Sequence, residues 1–207
     1  TEDYLWYIER RTSLCFFMMK CISKHILGSV LLFSLAVRVL YLFINYPLWW
    51  DSHIYMGMGK YIFSLGKIGI WESFRPLVHP LLLGLLWKLH LNVFLVGKIL
   101  DAIFSVTSVY FVYKIAEKIH GTKTAIVSSL LFSLTPLFLM FTGLILTEPL
   151  ALMLGLWGIW LVVEKNTLAR LFLGGFLLGL SFLTKFPQGI WFGVVAFIVF
   201  LRKELWI

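Results

Sequence analysis

The sequence predicts an all-α integral membrane protein of about six transmembrane helices, with an extracytoplasmic first loop containing interfacial helices. Three observations predict it. Of the 207 residues, 60% are hydrophobic and 14% charged, with mean hydropathy +0.92, which is far more apolar surface than a soluble core of this size can bury. The apolar windows run to roughly 17–25 residues, enough to carry a helix across a hydrocarbon layer of about 30 Å and too long for barrel strands. Lys and Arg, which give the chain its formal charge of +8, cluster at the ends of those windows. In a soluble protein such a charge would suggest nucleic acid. Here the cations set orientation in the membrane, so membrane lipids are expected partners and nucleic acid is not.

The elements follow in order. Residues 1–25 mix Arg10, Arg11, Lys20 and Lys24 with aromatics, which fits an interfacial arm ahead of a membrane-embedded unit over residues 26–207. The two cysteines, Cys15 and Cys21, fall in this arm and read as free thiols. A first span over residues 26–46 runs outward from that basic start and stops at Pro47, where Trp49 and Trp50 form an interfacial anchor. Residues 77–90 contain Lys88 and two histidines and are too short to cross comfortably, so they read as a helix in the interface. Further spans are expected over residues 94–113, 125–144, 150–163, 171–184 and 189–201.

This arrangement puts Lys114, Lys118, Lys123, Lys165, Arg170, Arg202 and Lys203 on the same inner side as the arm. Counting residues 77–90 as a seventh span would reverse every later segment and send Lys114, Lys118 and Lys123 outside. Gly174, Gly175 and Gly179 suit a close helix contact in lipid. No linker or fixed-period repeat divides the chain, which reads as the N-terminal part of a longer protein.

The polar residues of the stretch 46–80, Asp51, His53, Glu72, Arg75 and His79, stand out in so apolar a chain. Asp51 lies where the first span leaves the membrane, and Glu148, before Pro149, lies at a later exit on the same side. Paired carboxylates can divide roles, one taking a proton and the other setting its state or holding a metal ion. Each also fits a solvated loop acid or a helix-opening residue. Arg75 and Lys185 share that outer side and have the chemistry of phosphate contacts, although a headgroup anchor and a span-end cation are the plainer readings. Asp51, His53 and Glu148 are the candidate ligands for a divalent metal ion, but without tight ligand spacing, and a hydrogen-bonding histidine is the commoner role.

Within the spans, Arg38 lies eight residues before Tyr46 and Asp101 seven after Phe94, each roughly 11 Å below the outer edge at about 1.5 Å per residue. Their matched depth predicts a structural ion pair between the first and second spans.

Five features together carry a family resemblance: an internal Arg in the first span, WWDSHIY after it, RPLVHP opening the interfacial helix, TEPLAL after the third span and LTKFP after the fifth. Their order and sidedness resemble the GT-C membrane glycosyltransferases, nearest to the protein O-mannosyltransferases and lipid A aminoarabinose transferases. The resemblance implies sugar transfer from a polyprenyl-phosphate-linked donor to a protein, lipid or glycan acceptor at the extracytoplasmic face, in a plasma membrane if the source is prokaryotic. By position, Asp51 is similar to the essential first-loop acid and Glu148 to the second-loop acid. Arg75, before Pro76, is similar to a residue contacting donor phosphate, and Lys185 to a further contact. Asp51 is followed by Ser52, where the O-mannosyltransferases carry an Asp-Glu pair.

Two other functions fit the residues. In a transporter or channel, Arg38, Asp101 and Glu148 would line a polar path; in a non-catalytic scaffold, the loop's polar residues would be incidental.

Overall fold

The computed structural model describes residues 25–43, 47–164 and 167–201. The expected N-terminal arm falls outside them except for His25, which opens the first helix. Every regular element among the described residues is helical. In chain order these are α1 (His25–Leu42), α2 (Trp50–Phe63), α3 (Val78–Lys88), α4 (Val93–His120), α5 (Thr122–Ser133), α6 (Pro136–Phe141), α7 (Thr147–Glu164), α8 (Leu168–Thr184) and, after a 3-10 turn over Phe186–Gly189, α9 (Ile190–Leu201). Three of them, α1, α4 and α7, are long and apolar enough to cross a membrane.

Helix boundaries follow local chemistry. The Asn92 side chain caps α4 by accepting from the Leu95 N–H at 3.0 Å. Gly121 ends α4 and starts the turn into α5 at φ +83°, a conformation glycine reaches without strain. The 28 residues of α4 span about 42 Å, so a helix crossing the hydrocarbon layer must extend beyond it. Its last turns carry Lys114, Glu117, Lys118 and His120, with Lys114 and Glu117 paired at 2.7 Å. The span expected over residues 125–144 is instead two helices. Pro136 lacks an N–H to continue α5 and occupies the opening turn of α6, where none is needed.

The polar stretch after α1 is largely helical. Helices α2 and α3 pack against each other at a glycine crossing, where a Cβ on Gly59 would lie 2.6 Å from the Gly84 nitrogen and from the Pro80 carbonyl. This pairing buries His79, Pro80, Leu83, Gly84 and Leu86 on one face of α3. Leu77, Leu81, Leu85 and Leu89, four residues apart, stay exposed on another, as an interfacial helix requires. Beneath, Tyr55, Leu83 and Leu86 pack on Leu144, Ile145 and Leu146, the turn leading into α7.

The closest of the expected glycine contacts joins α7 to α8 through Gly174. A Cβ there would sit 3.0 Å from the Gly158 carbonyl, while Gly175 and Gly179 face open space. Ser181 adds a hydrogen bond across the same pair, donating to the Ala151 carbonyl at 2.7 Å. A small-residue face therefore serves this interface, but at one glycine rather than three.

Candidate active site

Asp51 occupies the first turn of α2, where the unpaired N–H groups favour a negative side chain. Arg75 reaches it from the turn before α3. Its Nη2 donates to Asp51 Oδ1 at 2.8 Å, its Nε to Glu72 Oε2 at 2.5 Å and its Nη1 to the Tyr55 hydroxyl at 3.2 Å. The guanidinium also lies over the Tyr55 ring, 5.1 Å from its centroid. Burial alone would lower the Arg75 pKa, but the bonds to Glu72, Tyr55 and Asp51 outweigh it and hold it above its ordinary value, so the charge is permanent. Asp51 remains accessible, with 45% of its side chain exposed against 16% for Arg75.

Glu148 stands in the first turn of α7 and accepts from Lys185 Nζ at 2.5 Å. Lys185 sits in extended backbone at the end of α8, just before the Pro187 turn, which carries its amine back toward α7. The Thr147 hydroxyl donates to the second Glu148 oxygen at 3.3 Å.

The turn before α7 links the two clusters. Ser52, fully buried beside Asp51, donates to the Leu144 carbonyl at 2.5 Å. Asp101 on α4 accepts from the Ile145 N–H at 2.7 Å, and Ser105 and Thr142 share a hydrogen bond of 3.2 Å. Ile145 has φ +58° although it is β-branched and fully buried. Such a conformation persists only where the surroundings fix it, and strained backbone of this kind concentrates at functional sites. Glu148 follows three residues later, in the first turn of α7.

The predicted residues therefore fall into two acid–cation pairs, Asp51 with Arg75 and Glu148 with Lys185. The expected ion pair is replaced by other contacts. Arg38 does not pair with Asp101: its Nη1 donates to the Ser34 carbonyl, the Ser34 hydroxyl and the Ser133 hydroxyl, and its guanidinium covers the Phe138 ring. Asp101 is taken by the Ile145 amide instead. The two side chains face different neighbours, which a residue count along each helix does not decide.

Asp51, His53 and Glu148 lie apart from one another as candidate ligands. Among the described residues no three His, Cys, Asp or Glu side chains gather as ligands, and His53 points to the exposed side of α2. Glu72 stands out in the polar stretch of the sequence but without an assigned role, and Tyr55 and Ser52 are not singled out by the sequence. Tyr55 lies one helical turn beyond Asp51, a relation visible only once residues 50–63 are known to be helical.

The structure is thus an all-helical bundle with three helices long and apolar enough to cross a membrane and two acid–cation pairs. The family model described as dolichyl-phosphate-mannose-protein mannosyltransferase matches residues 74–206, and the chain belongs to that family of GT-C-type membrane glycosyltransferases. The match takes in Arg75, Glu148 and Lys185 and begins after Asp51. No curated protein and no solved structure matches the chain. Membership makes it an integral membrane glycosyltransferase and implies a polyprenyl-phosphate-linked sugar donor.

Proposed function

We propose that the chain moves a sugar from a polyprenyl-phosphate donor to a hydroxyl or amine acceptor at the extracytoplasmic membrane face. The observation that carries this reading is the Asp51–Arg75 pair, a half-exposed carboxylate held 2.8 Å from a permanently charged guanidinium. The acceptor's oxygen or nitrogen forms a bond to the anomeric carbon while the bond from that carbon to the phosphate oxygen breaks. The acceptor's proton passes to Asp51, and the carrier leaves as a lipid phosphate. Arg75 binds that phosphate as its charge grows, and Lys185 adds a second positive charge. Glu148, the second acid, keeps Lys185 in place and takes part in acceptor placement. No step calls for a metal ion.

The lipid tail stays in the bilayer throughout, so a site at the membrane edge suits both halves of the donor. The exposed leucines of α3 support an interfacial position for the α2–α3 pair. Residues 26–207 act in this reading as one transmembrane unit of six crossings, with α5 and α6 together forming the third. The transporter alternative loses its polar path, because Arg38, Asp101 and Glu148 each take separate partners.

The test is sugar transfer in membranes carrying the full-length protein and supplied with polyprenyl-phosphate sugars. Asp51→Asn keeps the shape but cannot accept the proton, and is expected to lower kcat by about 100-fold or more. Transfer at the wild-type rate would remove Asp51 from the mechanism.

A further inference from the structure

We propose that Glu72 and Asp51 together fill the place on Arg75 that the donor phosphate takes, so that Glu72 is a displaceable positioning residue that sets donor affinity. The inference rests on the reading of Arg75 as the phosphate contact. All three guanidinium nitrogens are engaged, but not equivalently. Nε and Nη2 lie on one edge, the edge that meets a phosphate through two parallel hydrogen bonds. Its two positions are held by oxygens of two different carboxylates, Glu72 at 2.5 Å and Asp51 at 2.8 Å. A single phosphate offering two oxygens matches both.

The third nitrogen explains why Arg75 stays in place during the exchange. Nη1 binds the Tyr55 hydroxyl, and Tyr55 is 7% exposed, with its ring edge against buried His79. Breaking that bond would strand a polar group in the core, whereas the Nε–Nη2 edge can change partners without disturbing it. Glu72 is free to leave. It lies outside any helix, in the same turn as Arg75, whose N–H faces the Glu72 carbonyl at 3.4 Å. Its carboxylate makes no other hydrogen bond among the described residues, and 26% of the side chain already meets solvent. Rotation alone takes it to water. The same exchange frees Oδ1 of Asp51, so the acid is released for the acceptor only when donor is present.

Binding of a polyprenyl monophosphate that carries no sugar, to the full-length protein in nanodiscs, tests this. Glu72→Gln removes the competing charge and is expected to bind about fivefold tighter, with the donor KM falling by a similar factor and kcat nearly unchanged. Glu72→Asp keeps the charge and should stay within about twofold of wild type. Arg75→Ala should weaken binding at least about tenfold. Equal or weaker binding by Glu72→Gln, alongside a weakened Arg75→Ala, overturns the exchange and leaves Arg75 as the phosphate contact. Wild-type binding by Arg75→Ala overturns both. Should the glutamine variant not fold, Glu72→Ala, which also removes the charge, decides between the same outcomes.

Discussion

At the scale of single residues, Asp101 shows how a buried carboxylate can be given one partner by the sequence and another by the packing. Its depth in the bundle was legible from its place in the sequence; its direction was not, because an α-helix presents a new face every residue and only packing selects one. The carboxylate fixes the Ile145 amide, and through it the strained turn that opens into Glu148. Asp101→Asn keeps an oxygen acceptor and should retain most activity. Asp101→Leu leaves the amide without a partner, a loss of about 1–3 kcal/mol, and should lower both the melting temperature and the transfer rate. Equal behaviour of the two variants would dissociate the turn from the site.

His79 makes a second prediction at this scale. It is fully buried with Nδ1 lacking a partner, and burial pushes its pKa down from 6.5 to about 3. Below pH 6.5 the unfolded chain binds a proton that the folded chain refuses. The contribution is therefore complete above that pH and is lost as pH falls toward 3. Thermal unfolding followed between pH 7 and about 5 should show a falling midpoint, and His79→Phe should flatten that part of the slope.

At the scale of elements, the long apolar windows were legible because composition alone fixes what must meet lipid. The helix α2 was harder to see. Its sequence, WDSHIYMGMGKYIF, mixes polar, aromatic and glycine residues, and glycine weakens an isolated helix. What supports it is tertiary: Gly59 and Gly84 let α2 and α3 approach until each backbone would clash with a Cβ on the other. Asp51 and Tyr55 therefore occupy one face of a helix rather than two places in a loop. The break at Pro136 was signalled by the proline, which a reading by hydropathy passes over. Gly59→Val is expected to force α2 from α3 and destabilise the pair by about 1–3 kcal/mol. Because the α2–α3 turn carries Arg75, transfer should fall with it, whereas Gly175→Val, facing open space, should leave stability nearly unchanged. A thermal shift assay in detergent compares the two; equal shifts would mean that the crossing is not close.

At the scale of the whole molecule, sidedness is read from Lys and Arg, and the proposed arrangement puts Asp51 and Glu148, 97 positions apart, on one membrane face. The six-crossing arrangement requires strict alternation of the turns. Single cysteines in a background with Cys15 and Cys21 replaced by serine can report it. Ser52 would be a poor probe, being buried and bonded to the Leu144 carbonyl, but its neighbour His53 is exposed. His53→Cys and Phe186→Cys should react with a membrane-impermeant maleimide in intact cells. Lys123→Cys and Thr167→Cys, also at exposed positions, should react only after the membrane is opened. In that arrangement one crossing, α4, separates His53 from Lys123, and one, α8, separates Thr167 from Phe186. Labelling of His53→Cys and Lys123→Cys from the same side would remove α4 as a crossing and move the later clusters with it. Glu148 and Asp51 would then lie on opposite faces, and no single donor phosphate could reach both cations.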